Sequence, residues 1–464
     1  MSDSADVVDV VIVGAGISGL AAAYELRKRK VSVLVLEKSA RPGGVIQTEH
    51  VGEFVVDAGP DSLLVQKPAA LALCEEIGLG DRLIPTKPPR HAFILRNKTL
   101  HPLPGSSVLG FPTRAGPMLR STLFSLPAKA RMGAEVFIPK RRGQGDESIA
   151  AFVGRRFGGE AVRYIAEPLL AGIHAGDVDR LSMRALFPRF LEAEARSGSV
   201  IRAFRSMPAP RSTDGVFRSF PGGLGELVDG VMRVLPVESV RLNTAVTRIE
   251  PEKPGFAVHV EDGAPVRAQA VMLACPAFTA ADLCRGFDAE LSGLCGSIKY
   301  LSSATVALAF SRDAVHHRLL GTGFVVPRSE GLNITAGAWI SSKWPHRAPD
   351  GHALLRAFLG GARDPEVLGK SDRELQETAL RELSGVLGIR GAPEFSRVYR
   401  WHRASPQLEV GHLELMSRID ARLVDHPGLF LSAAGFRGVG IPDCVGDART
   451  QAAKAAEYVR LVST

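Results

Sequence analysis

Residues 6–38, DVVDVVIVGAGISGLAAAYELRKRKVSVLVLEK, constrain this chain more than any other stretch. The apolar run 10–13 has no helical period and stops at Gly14, Ala15, Gly16, Ile17, Ser18 and Gly19, as a buried parallel strand entering a phosphate-binding turn does. Gly14 permits the tight turn, Gly16 lets the backbone approach a pyrophosphate, and Gly19 lets the next helix pack closely on the strand. That helix, predicted over 20–30, offers the anion free N–H groups and the positive end of its dipole. A second apolar strand, 31–36, ends at Glu37, where an acid holds the ribose hydroxyls of an adenosine. An acid there, in place of an arginine, argues against a 2'-phosphate and leaves NAD or FAD. GxGxxG alone is weak evidence; strand, turn, helix, strand and acid in that order predict a dinucleotide site.

At 464 residues the chain has room for two or three domains, and its 45% apolar content is ordinary for a globular protein. The net charge of +8 suits an anionic ligand or a membrane surface as well as nucleic acid. The longest basic run, 27–30, already belongs to the end of the first helix and aromatics are 6%, so no nucleic acid partner is expected. Five cysteines without a CxxC pair suggest neither a disulfide framework nor zinc; no metal is expected, and a cytoplasmic location. The chain shows no secretory leader and no 18-residue apolar run, so it is expected not to be secreted or to span a membrane.

After Glu37 and Lys38, the residues Arg41, Pro42, Gly43 and Gly44 complete an ExxxRxGG pattern that resembles the flavin amine oxidase and porphyrinogen oxidase superfamily. The resemblance implies FAD, permanently bound. It extends to Asp57, Ala58, Gly59 and Pro60, in the segment that passes the flavin, followed by Asp61 and Ser62 where porphyrinogen oxidases write GPxS. A strand predicted over 240–250 carries Val246, which matches the residue contacting the adenine through its backbone. A hairpin of 256–260 and 266–276 turns at Asp262-Gly263 and leaves through the family's AxP. Trp401, in Arg400-Trp401-His402, carries over to the flavin edge. Gly435, Val439, Gly440 and Ile441, in GFRGVGIPDC, carry over to a helix start aimed at the flavin pyrimidine ring.

Residues 167–177, EPLLAGIHAGD, are more specific: they resemble the signature of the oxygen-dependent protoporphyrinogen and coproporphyrinogen oxidases, which amine oxidases lack. NKTLHPLP, KWPHRAPDG and RWH resemble the coproporphyrinogen III-oxidising branch. The family usually has an aromatic where His174 stands, so His174 is expected to be a core or hydrogen-bonded residue without a catalytic role. Gly172 and Ile173 are substrate-binding candidates. So is Lys67, just before a helix predicted over 69–77, against the plain reading of a solvated lysine. Arg90, Arg96 and Arg184 are further candidates for holding propionates. Trp339 and Trp344 either wall a flat macrocycle or belong to a core.

The fold implied is α/β, α+β overall. A discontinuous Rossmann-like FAD-binding domain takes residues 1–65, 216–280 and 420–464, an antiparallel-sheet substrate domain 66–95 and 281–419, and a helical subdomain 96–215. Residues 105–140 are basic and apolar, suited to peripheral membrane contact, a hydrophobic substrate path, or a small subdomain with a buried face. Residues 197–215 read as a polar loop.

The activity implied is oxidation of a porphyrinogen (coproporphyrinogen III, protoporphyrinogen IX or both) to the porphyrin in haem biosynthesis. Six electrons pass through FAD to O2 with H2O2 formed, and the product is handed to a ferrochelatase. Pyrroles delocalise the cation left when a bridge hydride departs, so no titratable catalytic residue is expected. The rival readings are a flavin amine oxidase and a tetrapyrrole-binding flavoprotein without turnover.

Overall fold

A computed structural model describes residues 7–104, 107–108, 110–112, 115–143, 145–206 and 214–463. Its first sheet has seven strands, in the order Val240–Arg241, Val33–Leu36, Val7–Val13, Val266–Leu273, Phe256–Val260 and Val246–Pro251, with Leu429–Leu431 also pairing with Val266–Leu273. Val7–Val13 runs parallel to both its neighbours, while 246–273 form an antiparallel meander. Helices Ile17–Lys28, Ala69–Glu76, Gly225–Val234 and Ile441–Val462 pack on one face. Ala277–Cys284, Ala289–Gly296 and His412–Leu423 pack on the other. With both faces covered, the strand is continuously apolar from Val10 to Val13, and Val10, Val11 and Ile12 are fully buried. The strand predicted over 240–250 is broken, because Asn243 adopts a φ of +51° and sends the two halves to different partners.

The second sheet also has seven strands, ordered Phe395–Gln407, Lys299–Ser311, His352–Gly360, Ile334–Trp339, Gly323–Val325, Ala92–Arg96 and Thr99–Pro102. It is antiparallel, as expected, except where Gly323–Val325 meets Ala92–Arg96 in parallel, which the long connection between them allows. Asp372–Leu387 covers one face, started by a capping box of Ser371 and Glu374. Trp339 and Trp344 lie in the cores on the two sides of this sheet, both fully buried, so neither walls a substrate.

Helices Leu126–Gly133, Ile149–Phe157, Pro188–Ser197 and Val200–Arg205 close a third core around Phe111, Phe152, Phe157 and Phe190. Between Ile149–Phe157 and Pro188–Ser197, Val162–Ala171 winds as a π-helix around Pro168, whose missing N–H removes an α-helical bond, and delivers Gly172–His174 as a 3₁₀ turn. The predicted polar loop 197–215 instead contains Val200–Arg205, because Ser199 caps it by accepting from Arg202 N at 3.1 Å. Residues 207–213 of that loop, with Leu109 and Arg114, lie outside the described residues.

The packing also departs from the sequence segmentation. Helix Ala69–Glu76, assigned by sequence to the substrate domain, buries Ala70, Leu73 and Cys74 in the first sheet's core. Helix Ala289–Gly296, likewise assigned, packs on that sheet's other face, while Thr99–Pro102, assigned to the helical part, completes the second sheet. Among the described residues no helix is long and apolar enough to cross a membrane.

Candidate active site

The first turn is built as a cradle. Gly14 has a φ of +106° and donates to Leu36 O at 2.8 Å, and a Cβ on it would lie 2.8 Å from Ala274 O. A Cβ on Gly19 would lie 1.9 Å from Gly14 O, so the helix meets the turn at backbone distance. At Gly16 nothing stands within 4 Å of such an atom. That open side is what a pyrophosphate requires. Gly43 N donates to Ala15 O at 2.8 Å, and Gly43 bridges Gly16, so the second glycine pair closes over the first. Ile17 and Ser18 are buried in the helix start, and Gly44 is exposed beside Gly16.

Glu37 Oε2 accepts from Ala15 N at 2.8 Å and Oε1 from Ser39 N at 2.9 Å. Thr244 N donates to Glu37 O at 2.8 Å, which brings the segment starting at Val246 to the same strand end. Lys38 is exposed. Arg41 donates to the carbonyls of Pro42 and Ile46 at 3.2 Å and of Gly44 at 2.6 Å. Burial lowers its pKa against the pull of Glu37. In this structure the guanidinium braces its own glycine loop.

The turn at Gly59 and Pro60 is wired to the second sheet. Arg356 Nη1 donates to Gly59 O at 2.7 Å and to Asp57 O, and Thr305 Oγ1 donates to Ala58 O at 2.9 Å. A Cβ on Gly59 would lie 2.0 Å from Val45 O and 3.5 Å from Trp401, placing the tryptophan edge beside the turn. Asp61 pairs with Lys343 at 2.8 Å and Arg356 at 3.3 Å. Burial pushes its carboxyl up, but Lys343, Arg356 and Ser62 outweigh burial and hold it well below the usual carboxylate range.

The Asp57 side chain is buried away from the turn. Its Oδ1 accepts from Thr48 Oγ1 at 2.6 Å and Leu224 N at 2.8 Å, and Oδ2 lies 3.0 Å from Arg347. Burial pushes this carboxyl up, with Arg347, Thr48 and Leu224 opposing. The sequence reading missed Arg347, Arg356 and Thr305. An arginine inside the apolar strand HALLRAFLG was the available signal, since a buried charge implies a partner.

Opposite lies the turn before the last helix. Gly435, with a φ of +103°, leaves no room for a side chain, since a Cβ would lie 2.5 Å from Tyr300 Oη. Tyr300 donates to Ala434 O at 2.7 Å and accepts from Ala277 N at 3.0 Å. His412 Nε2 donates to Phe436 O at 2.7 Å. Gly440 is the N-cap of Ile441–Val462, with no side chain satisfying the helix-start N–H groups, so with Val439 and Ile441 it leaves donors for a ligand.

Lys67 Nζ lies 2.7 Å from both carboxylate oxygens of Asp443, in the first turn of that helix. The lysine is about half exposed, at 48%, and already has a partner. Gly172 and Ile173 are exposed, while His174 is half-buried. Burial pushes the His174 pKa down to about 4; Lys67 adds to the effect and Asp443 opposes it. The imidazole is therefore neutral near pH 7. Its backbone carbonyl accepts from Gln407 Nε2 at 3.0 Å.

Two propionate candidates are spent elsewhere. Arg96 pairs with Glu160 at 3.7 Å and stacks on Tyr164 at 4.7 Å, and Arg184 pairs with Glu414. Arg90 donates to Thr86 O and Oγ1 at 3.0 and 2.9 Å. Sequence counts these charges, whereas only the fold decides which acids and carbonyls meet them. All five cysteines are buried and free, and among the described residues no His, Cys, Asp or Glu cluster could hold a metal.

These features define a flavoprotein of the FAD-cradle type, and the chain belongs to the flavin-containing amine oxidoreductase family, which matches residues 17–456. Its cofactor is FAD. The chain is 35% identical over 467 residues to coproporphyrinogen III oxidase of Bacillus subtilis (strain 168), covering 97% of this chain and 98% of that one. It is 30% identical to chloroplastic protoporphyrinogen oxidase of Nicotiana tabacum, over 94% of this chain and 83% of that one. A crystal structure from Exiguobacterium sp. 255-15, of a protein provisionally assigned as a protoporphyrinogen oxidase, matches with a TM-score of 0.87. The identity is 32%, with 98% of this chain and 99% of that chain covered.

Proposed function

We propose that the protein oxidises a porphyrinogen to the porphyrin, consuming three O2 and releasing three H2O2 for the six electrons removed. The observation that carries this reading is the likeness to the Bacillus subtilis enzyme along nearly the whole of both chains. The local support is the segment 167–177, whose end lies exposed near the Lys67–Asp443 pair.

Bound FAD supplies a two-electron acceptor that O2 can reoxidise. Gly16, Gly43 and Gly44 would receive its pyrophosphate in the turn that Gly14 and Gly19 shape, Glu37 its ribose, and the backbone at Val246 its adenine. The Gly59–Pro60 turn, Trp401 and the donors at Val439, Gly440 and Ile441 receive the flavin ring. The chain's contribution to the chemistry is position: Ile173 and Gly172 hold the macrocycle and Lys67 exchanges Asp443 for a substrate carboxylate. Each two-electron step would take a hydride from a bridge carbon and release one proton to water, and imine–enamine proton shifts carry one hydrogen of the fourth bridge to a ring nitrogen, so that four bridge hydrogens and two N–H hydrogens have left after three steps. The neutral His174 is not required as a base.

Phe436, the one aromatic in the turn 435–440, is fully buried, so it cannot cage an amine. The enzyme is proposed to work in the cytoplasm and to pass its product to a ferrochelatase.

The test is aerobic incubation of the yellow protein with coproporphyrinogen III and, separately, protoporphyrinogen IX, followed by porphyrin fluorescence. Faster turnover of the four-propionate substrate assigns it to the coproporphyrin branch, and the reverse to the protoporphyrin branch. No porphyrin from either overturns the reading.

A further inference from the structure

The turn from Asp57 to Pro60 is held from behind by the second sheet. Arg356 Nη1, from His352–Gly360, donates to Asp57 O and to Gly59 O, the latter at 2.7 Å, and Thr305 Oγ1, from Lys299–Ser311, donates to Ala58 O at 2.9 Å. Three successive carbonyls therefore point at that sheet. In a trans peptide the N–H opposes the carbonyl, so Gly59 N–H points away from Thr305. Among the described residues nothing accepts from it. The Cζ2 edge of Trp401 lies 3.5 Å from where a Cβ on Gly59 would stand, and on that edge the buried indole Nε1–H also has no acceptor among the described residues. Two N–H groups without acceptors thus lie side by side.

The charge behind them is unbalanced. Arg347 lies 3.0 Å from Asp57, while Lys343 and Arg356 lie 2.8 and 3.3 Å from Asp61. All five side chains are largely buried, and Lys343, the most open, is 14% exposed. The acids around them are already matched, Glu226 by Arg82 at 2.5 Å and Glu49 by Arg397 at 3.0 Å. Arg347 Nη1 and Arg356 Nε have no hydrogen-bond partner among the described residues. Three cations against two acids leave an excess positive charge in the interior, which is costly unless a negative charge comes to face it.

We infer that Thr305, Arg356 and Lys343 are positioning residues that act through this turn to raise the reduction potential of the bound flavin. Uptake of two electrons and one proton leaves the ring with one negative charge. The unmatched cation stabilises that charge, and Thr305 and Arg356 keep Gly59 N–H turned towards acceptors on the ring. This rests on FAD lying against the Gly59–Pro60 turn, and it is independent of which substrate is oxidised.

The midpoint potential of the flavin in the yellow holoprotein is to be measured by reductive titration against a reference dye, with no porphyrinogen present. Lys343→Met and Thr305→Val are each expected to lower the equilibrium constant for two-electron reduction about tenfold, a fall of about 30 mV. Thr305→Ser, which keeps the hydroxyl, is expected to hold the parent potential. A parent potential in Lys343→Met or in Thr305→Val overturns the inference, as does a Thr305→Ser protein that falls as far as Thr305→Val. Loss of flavin from both Lys343→Met and Thr305→Val also overturns it, since the cluster would then serve binding alone. The expected shifts in a protein that yields no porphyrin would overturn the substrate reading and leave this one standing.

Discussion

Gly16 and Gly19 lie one helical turn apart, and substitution separates their roles. Gly19→Ala drives a methyl into Gly14 O and is expected to destabilise the fold by about 3 kcal/mol or more. Gly16→Ala meets only open space in the protein, so it should melt like the parent stripped of its FAD and yet purify colourless. Flavin absorbance and a melting curve on both variants check this; a yellow Gly16→Ala would remove Gly16 from the pyrophosphate site. These glycines were legible because their spacing is local. Arg356 was not, since its partners lie at 57, 59 and 61, some three hundred residues away in the chain. Arg356→Met leaves Lys343 as the one cation against Asp61 and is expected to cost about 3–5 kcal/mol, with Arg356→Lys costing less. His174 adds a pH signature. Its folded pKa is depressed from 6.5 to about 4, so across that window the unfolded chain takes up a proton that the folded one does not. Stability should fall as pH drops through it, and His174→Gln should flatten that limb of a melting-temperature profile.

Elements with a strong period or a start signal were legible, as in the opening strand, turn and helix. Short or non-local ones were not. Val200–Arg205 is under two turns, too brief for a period to show, and the parallel pairing of Gly323–Val325 with Ala92–Arg96 joins segments that no local signal connects. The last helix shows how an element sets a site. Asp443 lies in its first turn, where an acid suits the dipole, and there it occupies the ammonium of Lys67. If substrate carboxylate displaces it, Asp443→Asn should lower KM for a four-propionate porphyrinogen and Lys67→Met should raise it. Each shift is about fivefold at most for a half-exposed pair, with kcat little changed. Equal KM values in all three proteins would take Lys67 out of the substrate site.

At the scale of the molecule, the cradle at the start of the chain depends on its end. The first sheet draws strands from 7–36, 240–273 and 429–431, and Ile441–Val462 packs against Ile17–Lys28. The sequence showed each piece as a motif, and the family likeness supplied their return to one domain; periodicity could not have done so. A chain ending at residue 425 keeps every residue of the GAGISG turn and of ExxxRxGG. It loses the strand Leu429–Leu431 and a helix that buries Ile441, Val445, Ala448, Ala452, Ala455, Ala456 and Val459. The larger of these side chains are worth about 1.5–3 kcal/mol each when buried, against a total stability of about 5–15 kcal/mol. Beneath the missing helix, Leu20, Ala21 and Leu73 would face water. The truncated chain is therefore expected to bind no FAD and to expose apolar surface to a hydrophobic dye, although its fingerprint is intact. A soluble, yellow product would mean that the amino-terminal strand–turn–helix holds the dinucleotide unaided, and that closure of the sheet by the last strand and helix serves the flavin end alone.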